Sequence, residues 1–395
     1  MMTHPHLSRQ VTLRKKEDRR IRAGHPWIFS NEIREMNGAA ATGDIVEVLD
    51  AGGLTLGIGM YHPHSLIAVR ILSRSVVEID RAFFRERIAR AVELRERLYP
   101  GAGAVRLIHG ESDLLPGLVV DRFNDYLSLQ TYSAGMDLRT EMICDVLEEI
   151  LHPTGIVERN ESPLRSLEGL VLKKTVLRGS VATTVIREGD LQYHVDVLAG
   201  QKTGFYLDQR ENRRLARSVS NGLEVLDCFC NDGGFACNAA RGRARSVLGL
   251  DASAEAIERA RENAAMNDVP ACAFEVCNVF DRLTTLQQEG RMFDLIILDP
   301  PSFTRSRKNV PTARKGYRDL HHAALRLLRR GGFLITASCS HHITGETFLD
   351  IVERSCREAD RTPQLLDWRG AAPDHPTLPQ VPETLYLKCG LFRVL

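Results

Sequence analysis

Several acidic residues in the second half of the chain stand where a site for a nucleotide-like ligand would need them. Asp227, Asp251 and Asp299 each follow a short apolar run, and two adjacent glycines, Gly233 and Gly234, come soon after the first. In a parallel sheet, ligands bind beyond the carboxyl ends of the strands. Carboxylates there accept hydrogen bonds from ribose hydroxyls, and glycines let a ligand approach the backbone closely. The pattern indicates such a ligand at one edge of a sheet.

The spacing of the glycines argues against a dinucleotide, and so against a nicotinamide dehydrogenase. A pyrophosphate-binding loop reads Gly-x-Gly-x-x-Gly, whereas Gly233 and Gly234 are adjacent. An acid at Asp251 and the sequence Asp-Pro-Pro from Asp299 favour S-adenosylmethionine instead. For the glycine pair alone, a tight turn between a strand and a helix is the structural alternative.

Cys339 is the cysteine whose surroundings suit a chemical role. It ends an apolar run and is followed by the polar Ser340 and His341. The expected topology places it on the strand next to the one that ends at Asp299, so one substrate could contact both. A thiolate at such a strand end can act as a nucleophile. Packing of a small side chain in the core is the alternative. Cys228 and Cys230 are expected to face the cofactor or the core rather than the substrate, and Cys237 is expected in the core.

Two basic segments are suited to binding phosphate groups. Residues 304–318 contain six basic residues and no acidic one, and Phe303 or Tyr317 could stack on a base. Residues 9–22 contain seven basic residues and precede Trp27. A solvated charged surface is the alternative for both segments. The basic residues of the first segment are Arg305, Arg307, Lys308, Arg314, Lys315 and Arg318.

The composition narrows the classes of protein. Of 395 residues, 43% are hydrophobic and 26% are charged, which excludes a disordered or fibrous chain. The 52 basic residues balance 51 acidic ones, so a nucleic acid would have to be held by local patches. No apolar run is long enough for a transmembrane helix, and we see no signal peptide. Nine cysteines without a Cys-x-x-Cys pair fit reduced thiols, so we expect a cytoplasmic protein.

The order of predicted elements divides the chain into three domains and predicts an α/β fold overall. Residues 1–75 contain short glycine-punctuated strands, typical of a small β-barrel or sandwich, and residues 76–190 predict a central α+β domain. Residues 191–395 alternate strands and helices, which is typical of a Rossmann-like, doubly wound sheet. Within this last domain Ser253 is expected to cap a helix, and residues 383–395 are expected to form a hairpin that turns at Gly390.

Several segments together resemble the class I RNA cytosine-C5 methyltransferases, and the chain is similar to the large-subunit rRNA methyltransferase family that carries an N-terminal PUA domain. The resemblance covers nearly the whole chain. Residues 24–31 resemble the PUA segment and residues 109–121 the family's central domain. The Asp-Pro-Pro sequence occurs in many methyltransferases, whereas residues 201–210 are the most specific segment. The segments in the last domain are 201–210, 226–229, 298–303 and 338–341.

The resemblance implies S-adenosylmethionine as the cofactor and assigns side chains to it. Asp227 and Phe229 would surround its methionine end, and Asp251 would take the ribose hydroxyls. Asn278 would meet the adenine amine, at a position where the family usually has an aspartate. The implied set is Asp208, Gln209, Arg210, Asp227, Phe229, Asn231, Gly233, Asp251, Ser253, Asn278, Val279 and Asp299.

The resemblance also implies a reaction. Carbon C5 of cytosine is a poor nucleophile, and a thiolate that adds to C6 pushes electron density onto C5, which then attacks the methyl group. Cys339 would be the nucleophile, while Asp299 would contact the cytosine edge and supply the proton at N3. The base that removes the C5 proton is unassigned. No metal is expected, because the thiolate and the sulfonium leaving group supply the activation.

The resulting hypothesis is an RNA methyltransferase that forms 5-methylcytosine in large-subunit (23S) rRNA, with the first two domains positioning the RNA. The resemblance admits a homodimer, which no sequence feature decides. One rival is methylation of an exocyclic amine of guanine or adenine, because Asp299-Pro-Pro resembles the edge of such enzymes. Another is a non-catalytic RNA-binding or ribosome-assembly factor. An active Cys339→Ala protein would favour the first rival, and absence of methyl transfer the second.

Overall fold

The computed structural model describes residues 7–200, 202–304 and 306–395. The chain forms two units, and each of them is built from three segments that are distant in sequence. The first unit comprises the described residues up to Ile186, Val195–Leu207 and Pro373–Thr384. The second comprises Arg187–His194, Asp208–Ala372 and Leu385–Leu395. The three-domain division at residues 75/76 and 190/191 stays a prediction.

The N-terminal part of the first unit is a six-stranded sheet in the order β2-β6-β5-β4-β1-β3. Neighbouring strands are antiparallel except β1 and β4, which run parallel. Val11, Ile28, Val46 and Val69 pack in its core, which the alternation of apolar residues predicts. The elements are β1 (Gln10–Leu13), α1 (Arg19–Arg22), β2 (Trp27–Phe29), β3 (Ile33–Asn37), β4 (Ile45–Leu49), β5 (Thr55–Tyr61) and β6 (Ile67–Ser73).

The rest of the first unit is a five-stranded sheet, ordered β11-β10-β9-β8-β7, with two long helices packed on it. The central-domain segment 109–121 forms ion pairs with other segments of the first unit. Asp113 binds Arg95, and Asp121 binds Arg106. The elements are α2 (Arg81–Leu98), β7 (Ala104–His109), β8 (Leu118–Phe123), β9 (Tyr126–Thr131), α3 (Ala134–Asp137), α4 (Thr140–Leu151), β10 (Gly155–Asn160) and β11 (Lys173–Gly179).

The strands β12 (Thr183–Glu188) and β13 (Leu191–Asp196) form a separate two-stranded sheet. The second unit contains a seven-stranded sheet in the order β16-β15-β14-β17-β18-β20-β19. Its strands are β14 (Glu224–Cys228), β15 (Ser246–Asp251), β16 (Cys272–Val276), β17 (Phe293–Leu298), β18 (Leu328–Ser338), β19 (Pro363–Arg369) and β20 (Lys388–Val394).

The first five strands in this order are parallel, and only β20 runs against its neighbours β18 and β19. The doubly wound sheet predicted from the alternation of strands and helices is therefore confirmed. Its helices are α5 (Arg210–Val219), α6 (Gly234–Arg241), α7 (Ala254–Met266), α8 (Val279–Gln288), α9 (Val310–Leu327) and α10 (Gly345–Glu358). No helix in the described part of the chain combines the length and apolarity that a membrane span requires.

The predicted C-terminal hairpin is wrong. Gly390 lies inside the single strand β20, where it pairs with Thr336 of β18 on one side and Trp368 of β19 on the other. A Cβ atom at this position would lie 2.5 Å from the ring of Phe392 and 3.2 Å from that of Trp368. The glycine accommodates aromatic side chains beside the backbone, and it does not mark a turn.

Candidate active site

The carboxyl ends of four parallel strands form the edge at which the predicted residues meet. The register pairs Cys228 of β14 with Leu298 of β17, and Leu298 with Thr336 of β18. Asp299 follows β17 directly, and Cys339 follows β18 directly. The expectation that Asp299 and Cys339 end neighbouring strands is therefore confirmed, and both side chains are half-buried.

The turn that follows β14 is wound tightly. Phe229, Asn231 and Gly233 all have positive φ, at 63°, 47° and 77°. A Cβ atom on Gly233 would lie 3.1 Å from that of Ala260, so this position favours glycine. Left-handed backbone at non-glycine residues is costly, and it concentrates at ligand sites. The amide of Cys230 donates to the carbonyl of Leu250 (3.0 Å), which fixes the turn against β15.

Asp227 fits a positively charged ligand. Its side chain is fully buried, and neither carboxylate oxygen has a hydrogen-bond partner of normal geometry among the described residues. Burial, together with the negative charges of Asp299 and Asp251, raises the pKa of Asp227 well above its usual value, and only the amide of Ala236 opposes this rise. A cation in the cleft would remove this penalty. S-adenosylmethionine carries two cationic groups, an ammonium and a sulfonium.

Asp251 presents a carboxylate whose orientation is fixed by the backbone. Oδ2 accepts from the amide of Asn231 (3.0 Å) and Oδ1 from the amide of Ser253 (2.9 Å). The Ser253 hydroxyl in turn accepts from the amide of Ala256 (3.1 Å), which confirms it as the cap of α7. Oδ1 of Asn231 is buried and has no partner in the described chain. These groups fit the ribose of an adenosyl cofactor at the end of β15.

The side chain of Asn278 makes hydrogen bonds that the sequence does not predict. It is exposed at the end of the loop after β16, and its Oδ1 accepts from the amides of Phe280 (2.9 Å) and Asp281 (3.4 Å). The amide oxygen expected to meet an adenine amine is therefore engaged in capping α8, whose first residue, Val279, is buried. The adenine contact of Asn278 stays a prediction.

Asp208, Gln209 and Arg210 are buried within the second unit. Tyr386 donates its hydroxyl to Oδ2 of Asp208 (2.8 Å), and the carbonyl of Asp208 accepts from Ala372. Arg210 lies 3.6 Å from Glu188, which also binds Arg213. Burial opposes ionisation of Glu188, but the two arginines outweigh it and lower the pKa of Glu188. Of the segment 201–210, Gln201 lies outside the described residues.

Buried hydroxyl groups surround the backbone on both sides of Cys339. Ser338 and Ser340 are fully buried, and the hydroxyl of Tyr317 bonds to both, at 2.8 and 3.1 Å. Ser302, after the two prolines, bonds to Ser340 at 3.1 Å. The residues on either side of the half-buried cysteine are thus held from below. Tyr317 itself is fully buried, so the prediction that it stacks on a base is wrong. Burial also raises the pKa of its hydroxyl to about 12.

Three other cysteines lie in the cofactor turn or on the helix after it, and all three belong to the core. Cys228, Cys230 and Cys237 are buried. Burial raises the pKa of the first two thiols well above the usual value, and a hydrogen bond with Cys272, together with burial, does the same for Cys237. Thiols held protonated in this way are poor nucleophiles.

Lys388 is a component of this edge that the sequence reasoning missed. It begins β20, its residue is only 7% exposed, and its Nζ donates to the carbonyls of Ser340 (2.8 Å) and Tyr386 (2.9 Å). The only sequence signal is a lysine at the first position of a mostly apolar strand. Without the position of β20 in the sheet, that signal does not place it near Cys339.

The basic residues after the strand end lie on two elements. Arg307 and Lys308 are exposed in a short helical turn, and Arg305 lies outside the described residues. Residues of α9 and α10 line a cavity of about 250 Å³, here called the α9–α10 groove, in which Arg314 is paired with Asp350. The groove residues are Pro311, Arg314, Lys315, Arg318, Asp350, Ile351 and Arg354.

The basic N-terminal segment is partly committed to internal contacts. Arg20 is paired with Glu32 (2.8 Å), and Arg22 bonds to Asp18 and to Asp50 (2.5 and 2.6 Å). These arginines are engaged by acidic residues of the first unit, which favours the structural alternative for this part of the segment.

A parallel sheet with one reversed strand at β20, a wound turn after β14 and carboxylates at the strand ends define the S-adenosylmethionine-dependent methyltransferase class. A family model described as an S-adenosylmethionine-dependent methyltransferase matches residues 175–393, and a model of a PUA-like domain matches residues 11–74. The predicted PUA-like and methyltransferase parts are both confirmed. S-adenosylmethionine is the cofactor.

Full-length relatives refine this class. The ribosomal RNA large subunit methyltransferase I of Tolumonas auensis is 36% identical over 98% of this chain and 100% of its own length. The protein of the same name from Escherichia coli is also 36% identical, with the same coverage. The chain therefore belongs to the S-adenosylmethionine-dependent methyltransferases, in the family of these large-subunit rRNA methyltransferases.

The fold also matches a solved structure. SMU.776, a candidate methyltransferase complexed with SAH, superposes with a TM-score of 0.85 at 20% identity, covering 97% of this chain and 99% of that one. A structure of a candidate methyltransferase from Streptococcus mutans matches with a TM-score of 0.84 at 19% identity and the same coverage. At these identities the similarity establishes the fold.

Proposed function

We propose that this protein methylates C5 of a cytosine in large-subunit rRNA, through a covalent adduct with Cys339. The observation that carries the proposal is the position of Cys339. It is half-buried, it is flanked by buried hydroxyl groups, and it ends the strand next to the one that ends at Asp299. The name shared by the full-length relatives supports large-subunit rRNA as the substrate.

In the proposed reaction, Sγ of Cys339 forms a bond to C6 of the cytosine, and the electron pair of the C5–C6 double bond moves onto C5. Asp299 contacts the base edge and supplies the proton at N3. When bound, S-adenosylmethionine supplies an electrophilic methyl group, which C5 acquires. Loss of the C5 proton to a base, which is unassigned, then expels the Cys339 thiolate, and return of the N3 proton to Asp299 restores the neutral aromatic base. Asp227 would hold the methionine end and Asp251 the ribose.

The basic residues of α9 extend the proposal to the RNA backbone. In the α9–α10 groove, Lys315 is exposed and Arg318 is half-buried. Both lie on α9, the helix whose Tyr317 bonds to the serines on either side of Cys339. Phosphate contacts of this kind position an RNA without reading its sequence. Arg307 and Lys308 would add to them on the loop before α9.

The test is transfer of labelled methyl groups to 23S rRNA and to ribosomal particles, followed by nucleoside analysis. We expect label in 5-methylcytidine, and loss of transfer by at least about a thousand-fold in Cys339→Ala, because covalent activation is removed. Cofactor binding should persist in this variant. Cys272→Ala is the matched control, since Cys272 lies at the opposite end of its strand from the catalytic edge.

Two results would contradict the proposal. Label on an exocyclic amine of guanine or adenine, with Cys339→Ala still active, would favour the amine methyltransferase that the Asp299-Pro-Pro sequence also fits. No label on either substrate would favour a non-catalytic RNA-binding factor.

A further inference from the structure

Lys388 stands out among the buried charged residues of the second unit. It lies opposite Ser338 in the antiparallel pair of β20 with β18, one residue before Cys339. An ammonium group taken from water into such a place is costly unless it is hydrogen-bonded and has a negative charge nearby.

The hydrogen bonds of Lys388 clamp the backbone beside the thiol. Its Nζ donates to the carbonyl of Ser340, the residue that follows Cys339, and to the carbonyl of Tyr386. An ammonium has three N–H donors, and two of them are used in these bonds.

The electrostatics connect the same two side chains. Burial lowers the pKa of Lys388 to about 8, and the negative charge of the Cys339 thiolate opposes this shift. The interaction is reciprocal, so a charged Lys388 favours the thiolate form of Cys339 to the same extent.

Other ionisable groups surround this end of β18 and β20. The hydroxyl of Tyr317 is neutral at physiological pH, because burial raises its pKa. When it is ionised, the carboxyl group of Asp299 disfavours a second negative charge nearby, so a cation then stabilises a thiolate here. The titratable and charged groups on the neighbouring elements are Tyr317, Asp299, His341, Asp367 and Arg369.

We propose that Lys388 is a positioning residue of the methyl-transfer site, which holds the turn at Cys339 and Ser340 and stabilises the Cys339 thiolate. The relevance to catalysis rests on the proposed function, in which Cys339 is the nucleophile. The coupling between the two side chains is independent of it and can be measured without RNA.

The first experiment follows the alkylation of Cys339 by iodoacetamide between pH 6 and 10, with each cysteine quantified by peptide mass spectrometry. Lys388→Met keeps the length of the side chain and removes the charge. We expect the apparent pKa of Cys339 to rise by about one unit in this variant, which lowers its alkylation at pH 7 about ten-fold. Lys388→Arg keeps the charge and should restore most of the rate.

Arg361→Met provides the matched control. Arg361 is also a partly buried cation that donates to two backbone carbonyls, those of Leu325 and Leu328, but it lies at the opposite edge of the same sheet. Its removal should leave the titration of Cys339 unchanged. An unchanged titration of Cys339 in a folded Lys388→Met protein would overturn the proposal.

A second measurement leaves Lys388 in place, in case Lys388→Met fails to fold. In protein labelled with ¹³C-lysine, the Cε resonance of Lys388 reports its titration in the wild type and in Cys339→Ser. Loss of the thiolate should lower the pKa of Lys388, and identical titrations would overturn the proposal. Methyl transfer that persists in Cys339→Ala would refute the proposed function, but it would not alter either titration.

Discussion

Asp227 shows how one residue can be poor for the fold and good for the site. Its carboxylate is buried, it has no hydrogen-bond partner of normal geometry within the described residues, and its pKa is raised by burial. A group whose pKa is higher in the folded protein than in the unfolded chain favours folding at low pH, and this contribution is lost as the pH rises through the folded-state pKa. The cofactor-free protein therefore carries a pH-dependent penalty at this position.

We predict that Asp227→Asn makes the cofactor-free protein more stable than the wild type, by a margin that grows as the pH rises from 4 to 8. The same variant should bind S-adenosylmethionine at least about ten-fold more weakly, because it lacks the counter-charge for a cationic ligand. Thermal unfolding at several pH values and calorimetric titration with the cofactor would measure both effects. A variant that is less stable than the wild type at pH 8 would contradict this account.

At the same scale, Lys388 and Cys339 make a prediction for the reaction itself. If Lys388 supports the thiolate, methyl transfer by Lys388→Met should have a lower kcat with little change in the KM for the cofactor, and raising the pH from 7 to 9 should recover much of the rate. Recovery follows because a higher pH ionises the thiol without help from the ammonium. A rate deficit that stays constant over this range would instead indicate a purely structural role.

The sequence identifies residues at strand ends better than residues that reach the site from elsewhere. Asp227, Asp299 and Cys339 can be placed at one edge because each follows an apolar run in a parallel sheet. Tyr317 and Lys388 cannot, because their roles depend on how α9 and β20 pack against β18. Those contacts join residues that are distant along the chain, and no local spacing encodes them.

At the scale of elements, the pattern of polar and apolar residues predicts most strands but fails where polar residues are buried. β10 ends in Glu158, Arg159 and Asn160, a polar run that does not by itself predict a buried strand, yet all three residues are buried. Arg159 donates to the carbonyls of Val197 and Gly200, so its polarity is satisfied by another segment of the first unit. In β20 the sequence wrongly predicts a hairpin, because Gly390 resembles a turn residue although it accommodates close packing inside a strand.

The packing around Gly390 can be tested directly. Gly390→Ala would place a Cβ atom against two aromatic rings, and we expect it to lower the free energy of unfolding by about 1–3 kcal/mol, the usual cost of overpacking. Gly370→Ala is the matched control, because its nearest neighbour would be the carbonyl oxygen of Leu387 at an ordinary 3.5 Å. Urea denaturation would compare the two variants, and equal stabilities would contradict the argument.

At the scale of the whole molecule, a formal net charge of +1 provides no long-range attraction for RNA. Affinity must come from local groups such as the α9–α10 groove, and it should fall with salt in proportion to the number of phosphates bound. We predict that Lys315→Gln with Arg318→Gln weakens binding to 23S rRNA by roughly ten-fold at low salt. The slope of log Kd against log salt should become shallower by about two, one for each lost phosphate contact.

Arg357→Gln is the control for this prediction, because Arg357 is an exposed arginine of α10 that is paired with Glu353 and does not line the groove. The cofactor affinity of the double variant should stay unchanged, which separates RNA binding from damage to the sheet edge. If the double variant kept the salt slope of the wild type, its two side chains would not contact phosphates. The RNA would then have to be held by the exposed Arg307 and Lys308 or by the PUA-like sheet, and charge removal there would be the variant to compare.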